Sequence, residues 1–281
     1  MNLSFVKMEG CGNDYVYVNG FTQKVAKEDK PALVRKLSDR HFGIGGDGVI
    51  FINPSDIAEF EMEMYNADGS RGEMCGNGIR CVAKFVYDEG LTDKKKITVE
   101  SFGKIKYLTL FEENGEIRSV RVNMGEPILK AEEIPVVCDH SPVVDEPIEV
   151  CGKEYRMTCV SMGNPHAVVF VDDTDNFPLE QIGSHFENHV RFPRRTNTEF
   201  VQVINRNYVK MRVWERGSGE TLACGTGCCA TAVACVLNGL TDEKITVEVL
   251  GGKLEIEWDR EKNLVWMTGP ATRVFRGTVE I

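Results

Sequence analysis

The feature that most limits the fold of this chain is an internal repeat. The stretch GLTDKKKITVE, which begins at Gly90, returns as GLTDEKITVE at Gly239, and MCGNG around Cys75 returns as ACGTG around Cys224. Both pairs are offset by 149 residues (239 − 90 and 224 − 75). A unit of about half the chain is far longer than the roughly 20–45 residues of a solenoid repeat. The repeat therefore predicts two similar domains that face each other.

Each half also carries the same types of secondary structure. We assign residues 1–126 to the first half, with a C-terminal strand, 270–281, that could return to it, and residues 127–269 to the second half. Alternating apolar and polar residues predict strands in EFEMEMYN, KIKYLTLF and KLEIEWD. KPALVRKLSDRH predicts a helix in the first half, and RFPRRTNTEF a linker or loop in the second.

One further helix is expected to dominate each half. The first follows Cys75, and its apolar residues recur at the spacing of one helix face: Ile79, Val82, Ala83 and Val86. The run CCATAVACVL, which follows Cys224, is apolar on every side and predicts a helix buried within its domain. A central strand is the alternative for this run, but its length and its alanines favour a helix.

Charge and composition limit the partners of the protein. A formal net charge of −10 argues against nucleic acid and anionic membranes, which repel a polyanionic surface. The N-terminal stretch has no basic start followed by an apolar core, and no run approaches the roughly 20 apolar residues that span a bilayer. We therefore expect a soluble cytoplasmic protein that acts on a small molecule.

The chain has ten cysteines, which could serve as disulfides, metal ligands or reactive thiols. A disulfide scaffold is disfavoured in a reducing compartment, and the absence of any C-x2-C spacing disfavours structural zinc. Zinc or an iron–sulfur cluster bound in a non-enzymatic protein is the alternative, through Cys224, Cys228 and Cys229, although adjacent residues seldom bind one metal well. Four other cysteines are predicted to be buried fillers because their neighbours are apolar: Cys138, Cys151, Cys159 and Cys235.

Cys75 and Cys224 each precede a predicted helix, separated from it by a glycine-rich turn. Unpaired amides at the start of a helix bind a carboxylate, and glycines let the backbone approach it closely. The helix dipole favours a thiolate, which predicts a lowered cysteine pKa. Two such thiols on opposite sides of one carbon would suit stereochemical inversion, one removing a proton and the other returning one. Taken singly, each cysteine could equally be a buried residue at a helix start.

Polar residues at matching positions support a binding site in each half. Asn66 precedes Cys75 by nine residues, as Glu215 precedes Cys224, and Asn13 in GND matches Asn164 in GNP. An asparagine beside a glycine is also a common turn residue, so these positions alone decide little. Arg216 has no counterpart in the repeat and is a candidate carboxylate clamp. His166 could tune a thiol or relay a proton, and an ordinary surface or core histidine is the alternative.

These motifs resemble the diaminopimelate epimerase family over essentially the whole chain. The matching segments are GCGNDYVYV, RHFGIGGDG, YNADGSRGEMCGNGIRC, VSMGNPHAV, RTNTEFVQV and WERGSGETLACGTG. The resemblance implies an α+β fold of two pseudo-symmetric domains, each a mixed, barrel-like sheet wrapped around a central helix. It implies conversion of LL- to meso-diaminopimelate, in lysine and cell-wall precursor synthesis, without pyridoxal phosphate or metal. A homodimer is also compatible with the family, although no residue here argues for one.

The resemblance also implies roles for particular residues. Cys75 and Cys224 would be the two acid–base residues, and Glu215 and His166 would lie beside the thiols and modulate their pKa. The backbones expected to hold the reacting carboxylate are those of Gly76, Asn77, Gly225 and Thr226. The groups expected to bind the ammonium groups and the distal end of the substrate are Asn13, Asn66, Asn164, Asn197 and Arg216, and Glu215 is counted among the substrate-binding residues as well.

Two positions depart from the family pattern, and one related activity stays open. Gly48 stands where some relatives carry a glutamine that contacts substrate, and Cys11 replaces an apolar residue and is interpreted as packing. The nearest alternative activity is that of a proline racemase. Arg216 and the three asparagines Asn13, Asn66 and Asn164 favour a substrate with a second amino-acid end.

Overall fold

Two successive stretches of the chain share seven strands and two helices in the same order, and the second stretch has two strands in addition. The computed structural model describes residues 2–281. The first stretch contains β1 (Asn2–Gly10), β2 (Asn13–Asn19), α1 (Lys30–Ser38), β3 (Gly48–Asn53), β4 (Phe60–Asn66), α2 (Gly76–Asp88), β5 (Lys96–Ser101), β6 (Lys104–Glu113) and β7 (Glu116–Gly125). The second contains β8 (Glu146–Val150), β9 (Lys153–Ser161), β10 (Pro165–Phe170), α3 (Leu179–Glu187), β11 (Asn197–Asn205), β12 (Tyr208–Glu215), β13 (Gly219–Thr221), α4 (Gly225–Leu237), β14 (Lys244–Val249), β15 (Gly252–Asp259) and β16 (Leu264–Pro270). The last strand is β17 (Thr272–Glu280).

The strand pairing shows the repeat most clearly. In the first stretch β1 pairs antiparallel with β2, β2 parallel with β3, β3 antiparallel with β4, β4 parallel with β5, and β5, β6 and β7 follow antiparallel. In the second, β9 to β12 and then β14 to β16 repeat these seven strands with the same directions. β17 pairs with β1 as β8 pairs with β9, so the expected return of the last strand to the first stretch is observed.

The chain divides into two compact units. The first unit comprises the chain up to Val122 together with Gly269–Ile281, and the second comprises Asn123–Thr268. Each unit is a mixed sheet with one helix packed inside it and one helix packed outside it. The domain limits at 126 and 269 stay predictions about where the functional halves separate.

A buried helix fills each unit. In α2 every residue from Gly76 to Val86 is buried, and the helix packs against β1, β2 and β6. In α4 every residue from Gly227 to Cys235 is buried, and strands β9, β10, β11, β14 and β15 surround it. The helix predicted from CCATAVACVL is therefore confirmed, because a run that is apolar on all sides needs a sheet around it.

Each outer helix shares one strand with the central helix of its unit, β2 in the first unit and β11 in the second. The predicted α1 is confirmed, with Pro31 in its first turn, and it packs against β2, β3 and β4. In the second unit α3 packs against β11 and β12, where Phe186 meets Phe200 edge-on at 5.3 Å between ring centroids.

The loop predicted for RFPRRTNTEF is wrong in its second half. β11 begins at Asn197, because the sequence from Asn197 to Val203 supplies a buried strand beside β10. Within residues 2–281 no helix is long and apolar enough to cross a membrane.

Candidate active site

Cys75 is the N-terminal capping residue of α2. Its backbone is extended (φ −131°, ψ 113°), and its Sγ accepts a hydrogen bond from the amide of Gly78 at 3.2 Å. The same sulfur donates its hydrogen to Oδ1 of Asn13 at 2.9 Å. Cys75 therefore faces one donor that favours the thiolate and one acceptor that favours the thiol.

A carboxylate fixes the orientation of the Asn13 amide. Asp47 Oδ2 accepts hydrogen bonds from Asn13 Nδ2 at 2.6 Å and from the backbone amide of Asp14 at 3.1 Å. The Arg40 guanidinium contacts both Asp14 and Asp47. Because an ionised carboxylate only accepts, Nδ2 must face Asp47 and Oδ1 must face Cys75. Asn13 is thereby held as an acceptor for the thiol.

Burial raises the pKa of Cys75, although the amide of Gly78, the hydroxyl of Tyr15 and the amide of Asn77 lower it. The lowered pKa predicted from the helix dipole is wrong here, because desolvation outweighs the helix start. Tyr15 was not predicted as part of the site. It stands two residues after Asn13 on β2, and side chains two apart on a strand lie on one face. That spacing in GCGNDY is the signal that could have identified it.

The other candidates of the first unit lie at strand and helix ends. Asn66 ends β4, and its Nδ2 donates to Ser70 Oγ at 3.0 Å. Gly76 begins α2, and the buried Asn77 follows it. Gly48 pairs with Asn66, and a Cβ on Gly48 would lie 2.0 Å from a backbone oxygen of β4. This backbone therefore has no room for a glutamine side chain at position 48.

Cys224 holds the equivalent position in the second unit. It caps α4 with an extended backbone (φ −117°, ψ 107°), and Gly225 is the first helical residue. Its side chain is only 5% exposed and makes no hydrogen bond to a helix amide. Its Sγ lies 3.5 Å from Oγ1 of Thr226. The two units thus present one cysteine each at the start of their central helix.

Burial raises the pKa of Cys224 well above its ordinary value, and the carboxylate of Glu215 raises it further. The Thr226 hydroxyl and the Gly227 amide lower it. The prediction of a lowered pKa is therefore wrong for this cysteine as well, since the charge of Glu215 adds to the desolvation. The thiol is the favoured form of Cys224.

His166 lies on β10 and is fully buried. Its Nδ1 is 2.7 Å from Glu199 Oε1, and its Nε2 is 3.1 Å from Asn164 Oδ1. Asn164 Nδ2 donates to Thr226 Oγ1 at 3.2 Å. Within the second unit, hydrogen bonds therefore connect His166 to Cys224 through Asn164 and Thr226.

β11 carries one expected and one unexpected polar residue. Asn197 Oδ1 accepts from the amide of Arg216 at 2.8 Å, and its Nδ2 donates to the oxygen of Pro165 at 3.1 Å, so it ties β10 to the turn after β12. Glu199, two residues later on the same face, is fully buried and was missed. Glu199 was missed because TNTEF was predicted to be a loop. In a strand, Asn197 and Glu199 point to the same face and therefore both enter the core.

The Glu215 and Arg216 side chains are engaged within their own unit. Glu215 ends β12, and its Oε1 accepts from Thr221 Oγ1 at 2.5 Å. The Arg216 guanidinium donates to the backbone oxygen of Arg194 at 3.0 Å. The second unit thus brings Asn164, His166, Glu215, Gly225 and Thr226 around Cys224, and the first brings Asn13, Gly76 and Asn77 around Cys75.

The remaining cysteines are mostly packing residues. Cys159 and Cys235 are buried as predicted, and Cys11 is buried in keeping with a packing role. The prediction is wrong for Cys151, which is exposed, and for Cys138, which is only half-buried. Cys151 occupies a turn at φ 53° between β8 and β9, so its apolar neighbours in sequence point away from it.

One group among residues 2–281 has the composition of a metal site. Ligand atoms of Cys138, His140 and Glu146 all lie within 4.8 Å of one another. Glu146 is already paired with Arg191 at 3.0 Å, which opposes a cation there. The set considered for a zinc or iron–sulfur centre does not form such a group: Cys224, Cys228 and Cys229.

The fold is shared with a class of solved proteins. A PhzF-family phenazine biosynthesis protein from Bacillus anthracis superposes with a TM-score of 0.70 at 16% identity and full coverage of both chains. A hydroxyproline epimerase from Agrobacterium vitis superposes with a TM-score of 0.67 at 13% identity, covering 99% of this chain and 91% of that one. At such identities these likenesses show the fold, the two-domain, barrel-like architecture of PhzF proteins and epimerases.

Sequence similarity gives the family. The diaminopimelate epimerase family model matches residues 5–130 and 158–274. The diaminopimelate epimerase of Agathobacter rectalis is 60% identical over 287 aligned residues, covering 99% of this chain and all of that one. That of Methanococcus maripaludis (strain S2 / LL) is 56% identical with the same coverage. The chain belongs to the diaminopimelate epimerase family.

Proposed function

We propose that this protein inverts one α carbon of LL-2,6-diaminopimelate to give the meso isomer, in lysine and peptidoglycan precursor synthesis. The observation that carries the proposal is the full-length similarity to diaminopimelate epimerases, at 53–60% identity over at least 98% of this chain. The equivalent placement of Cys75 and Cys224, each capping a buried helix, supports it.

The proposed reaction needs two proton carriers and no further reagent. One cysteine, as thiolate, takes the α proton, and the electron pair of the broken C–H bond stays on the carbon. The other cysteine, as thiol, gives a proton to the opposite face and becomes the thiolate. The amides that begin α2 and α4, at Gly76, Asn77, Gly225 and Thr226, would bind the adjoining carboxylate and stabilise the carbanion.

The surroundings of the two sulfurs support complementary roles. The sulfur of Cys75 accepts from the Gly78 amide, and the Tyr15 hydroxyl lowers the pKa of the thiol, so both favour its thiolate. Cys224 lies near the carboxylate of Glu215, which favours its thiol. We propose that Glu215 and His166 tune the cysteines, and that Asn13, Asn66, Asn164, Asn197 and Arg216 orient the substrate. Arg216 and the asparagines would recognise the second amino-acid end.

Because side chains carry both protons, we propose that the reaction uses neither pyridoxal phosphate nor a metal. A cytoplasmic location would keep both thiols reduced, and we include it in the proposal. A homodimer is part of the proposal on family grounds alone.

The test is exchange of the α hydrogen with deuterated water, followed by mass spectrometry. Diaminopimelate should take up deuterium at a rate that matches its epimerisation, and proline should not. Exchange with proline alone would replace this proposal by a proline racemase. The Cys75→Ala and Cys224→Ala variants serve as controls, and each should lose epimerisation.

A further inference from the structure

A series of four hydrogen-bond contacts runs from β11 to the start of α4. Glu199 Oε1 lies 2.7 Å from His166 Nδ1, and His166 Nε2 lies 3.1 Å from Asn164 Oδ1. Asn164 Nδ2 lies 3.2 Å from Thr226 Oγ1, which lies 3.5 Å from Cys224 Sγ. We call these five residues the Glu199–Cys224 series. Its far end, Glu199, touches neither sulfur nor substrate-binding amide, yet is linked to a candidate acid–base residue.

The direction of the series follows from its amide. Asn164 turns Nδ2 to Thr226 and Oδ1 to His166, so His166 Nε2 must carry a hydrogen. In a neutral imidazole Nδ1 is then an acceptor, and Glu199 must supply the hydrogen in that short contact. Thr226 accepts from Asn164, which leaves its own hydrogen free to point at Cys224. Every donor in the series then points toward the sulfur.

The surroundings of Glu199 favour its neutral form. Both Glu199 and His166 are 0% exposed, and the second carboxyl oxygen, Oε2, is buried with no hydrogen-bond partner among residues 2–281. An ionised carboxylate with an unpartnered oxygen is costly in the core, whereas a neutral carboxyl needs one acceptor for its hydrogen. The backbone of α4 closes over it, since a Cβ on Gly227 would lie 2.6 Å from Glu199 Oε1. Burial also raises the pKa of Glu199.

We propose that Glu199 is a positioning residue that carries a proton and, by donating it to His166, aims the Thr226 hydroxyl at the sulfur of Cys224. The inference rests on the proposed function in taking Cys224 as a reacting thiol. If Glu199 ionises, its proton passes to Nδ1, the hydrogen on Nε2 leaves to solvent, and the Asn164 amide turns over to donate to Nε2. Cys224 takes a proton from solvent and, as the thiol, donates to Thr226. One proton leaves Glu199 and one joins Cys224, so the total charge is unchanged. A protonated Glu199 thus favours the Cys224 thiolate.

The titratable groups around this pair are few. His166 faces Glu199 from β10, Glu215 from β12 and Cys224 from α4. Cys159 on β9 lies near enough that a charge on Glu199 would raise the pKa of its thiol. α3 packs on the other face of β11, against Phe200. The carboxylate to distinguish from Glu199 is therefore Glu215, which raises the pKa of Cys224 more strongly.

The first experiment measures the rate of iodoacetamide alkylation of Cys224 against pH, resolved by peptide mass spectrometry. Glu199→Gln keeps the shape and, through its amide hydrogen, the donor to His166. The pH midpoint of Cys224 alkylation in this variant should match that of the wild type, and the rates should agree within about twofold at each pH. Glu215→Gln is the matched control, which removes a nearby charge and should lower the midpoint. A midpoint lowered as much in Glu199→Gln as in Glu215→Gln would overturn the proposal, since only an ionised Glu199 would act in that way.

The second readout uses the wild-type protein. The ¹⁵N NMR signals of His166 should show a neutral ring with its hydrogen on Nε2, and an imidazolium or an Nδ1–H tautomer would refute the inference. Glu199→Leu removes the hydrogen-bond donor to His166 and should raise the pH midpoint of Cys224 alkylation. An unchanged midpoint in the folded variant would contradict the proposal. If Glu199→Leu does not fold, Glu199→Gln and the NMR signals still decide. None of these readouts requires turnover, so a failure of the proposed activity would leave them interpretable.

Discussion

Replacing Tyr15 by phenylalanine should make Cys75 harder to ionise. We assign the Tyr15 hydroxyl as a donor to the Cys75 sulfur because it lowers the pKa of that thiol, whereas burial raises it. Tyr15 is itself buried, and burial and the nearby Cys75 raise its pKa, so it acts as a neutral donor. The substitution removes one oxygen and leaves the ring in the core. The remaining donors to the thiolate are backbone amides of α2.

The size of the effect follows from the charge on the acceptor. A hydrogen bond to a charged group contributes about 1.5–3 kcal/mol. Because Cys75 is only half-buried, solvent screens part of this contribution. We therefore assign about 1.4 kcal/mol to the hydrogen bond from Tyr15 to the Cys75 thiolate. That value is about one pKa unit, or a tenfold smaller thiolate fraction below the midpoint. We therefore expect alkylation of Cys75 at neutral pH to slow about tenfold in Tyr15→Phe.

The assay is peptide-resolved alkylation of Cys75 across pH, with Tyr17→Phe as the matched control. Tyr17 lies on the same strand, and its hydroxyl donates to the backbone oxygen of Gly78 at 3.2 Å. The control should leave the Cys75 midpoint in place. An unchanged midpoint in Tyr15→Phe, or an equal rise in both variants, would refute the assignment of Tyr15 as a donor to the reacting sulfur.

Two further predictions concern stability. Burial raises the pKa of Glu63, but the ion pair with Lys30 at 2.5 Å and other hydrogen bonds outweigh it and leave the pKa lowered. The stabilisation should be complete above pH ~4.3 and disappear as pH falls through the folded-state pKa. Glu63→Gln should lower the free energy of unfolding by about 3 kcal/mol at pH 7, and a loss that persists unchanged at pH 3 would contradict this. Burial raises the pKa of Cys81 and of Cys235 to about 12. Alanine at either should cost about 1 kcal/mol in chemical denaturation and leave epimerisation intact; lost activity in a stable variant would be inconsistent with packing roles.

The repeat allowed most of the fold to be predicted from the sequence. Two copies of the same sequence pattern must form the same local structure, and the fully apolar run after Cys224 had to lie inside a sheet. The equivalent cysteines at helix starts followed from the same comparison. The structure adds the shared order and direction of seven strands in each unit.

The residues that escaped prediction depend on tertiary contacts. From the sequence alone Glu199 falls in a predicted loop, because the start of β11 at Asn197 is not apparent. Only its fully buried contact with His166 connects it to the site. The cysteine pKa directions were predicted wrongly because a sequence shows the helix start but not the depth of burial. The helix α3, in LEQIGSHFE, was not predicted, since its glycine and histidine weaken a short amphipathic pattern.

The central claim is that two thiols serve opposite faces of one carbon. It is tested most directly by starting the reaction from LL-diaminopimelate in deuterated water and stopping it at a few per cent conversion. We predict deuterium at the inverted carbon of the meso product and none in the recovered LL isomer, because the donating thiol carries a solvent hydrogen and the other returns the original one. Product that retains its original hydrogen, or recovered LL isomer labelled as fast as product forms, would contradict the two-thiol mechanism.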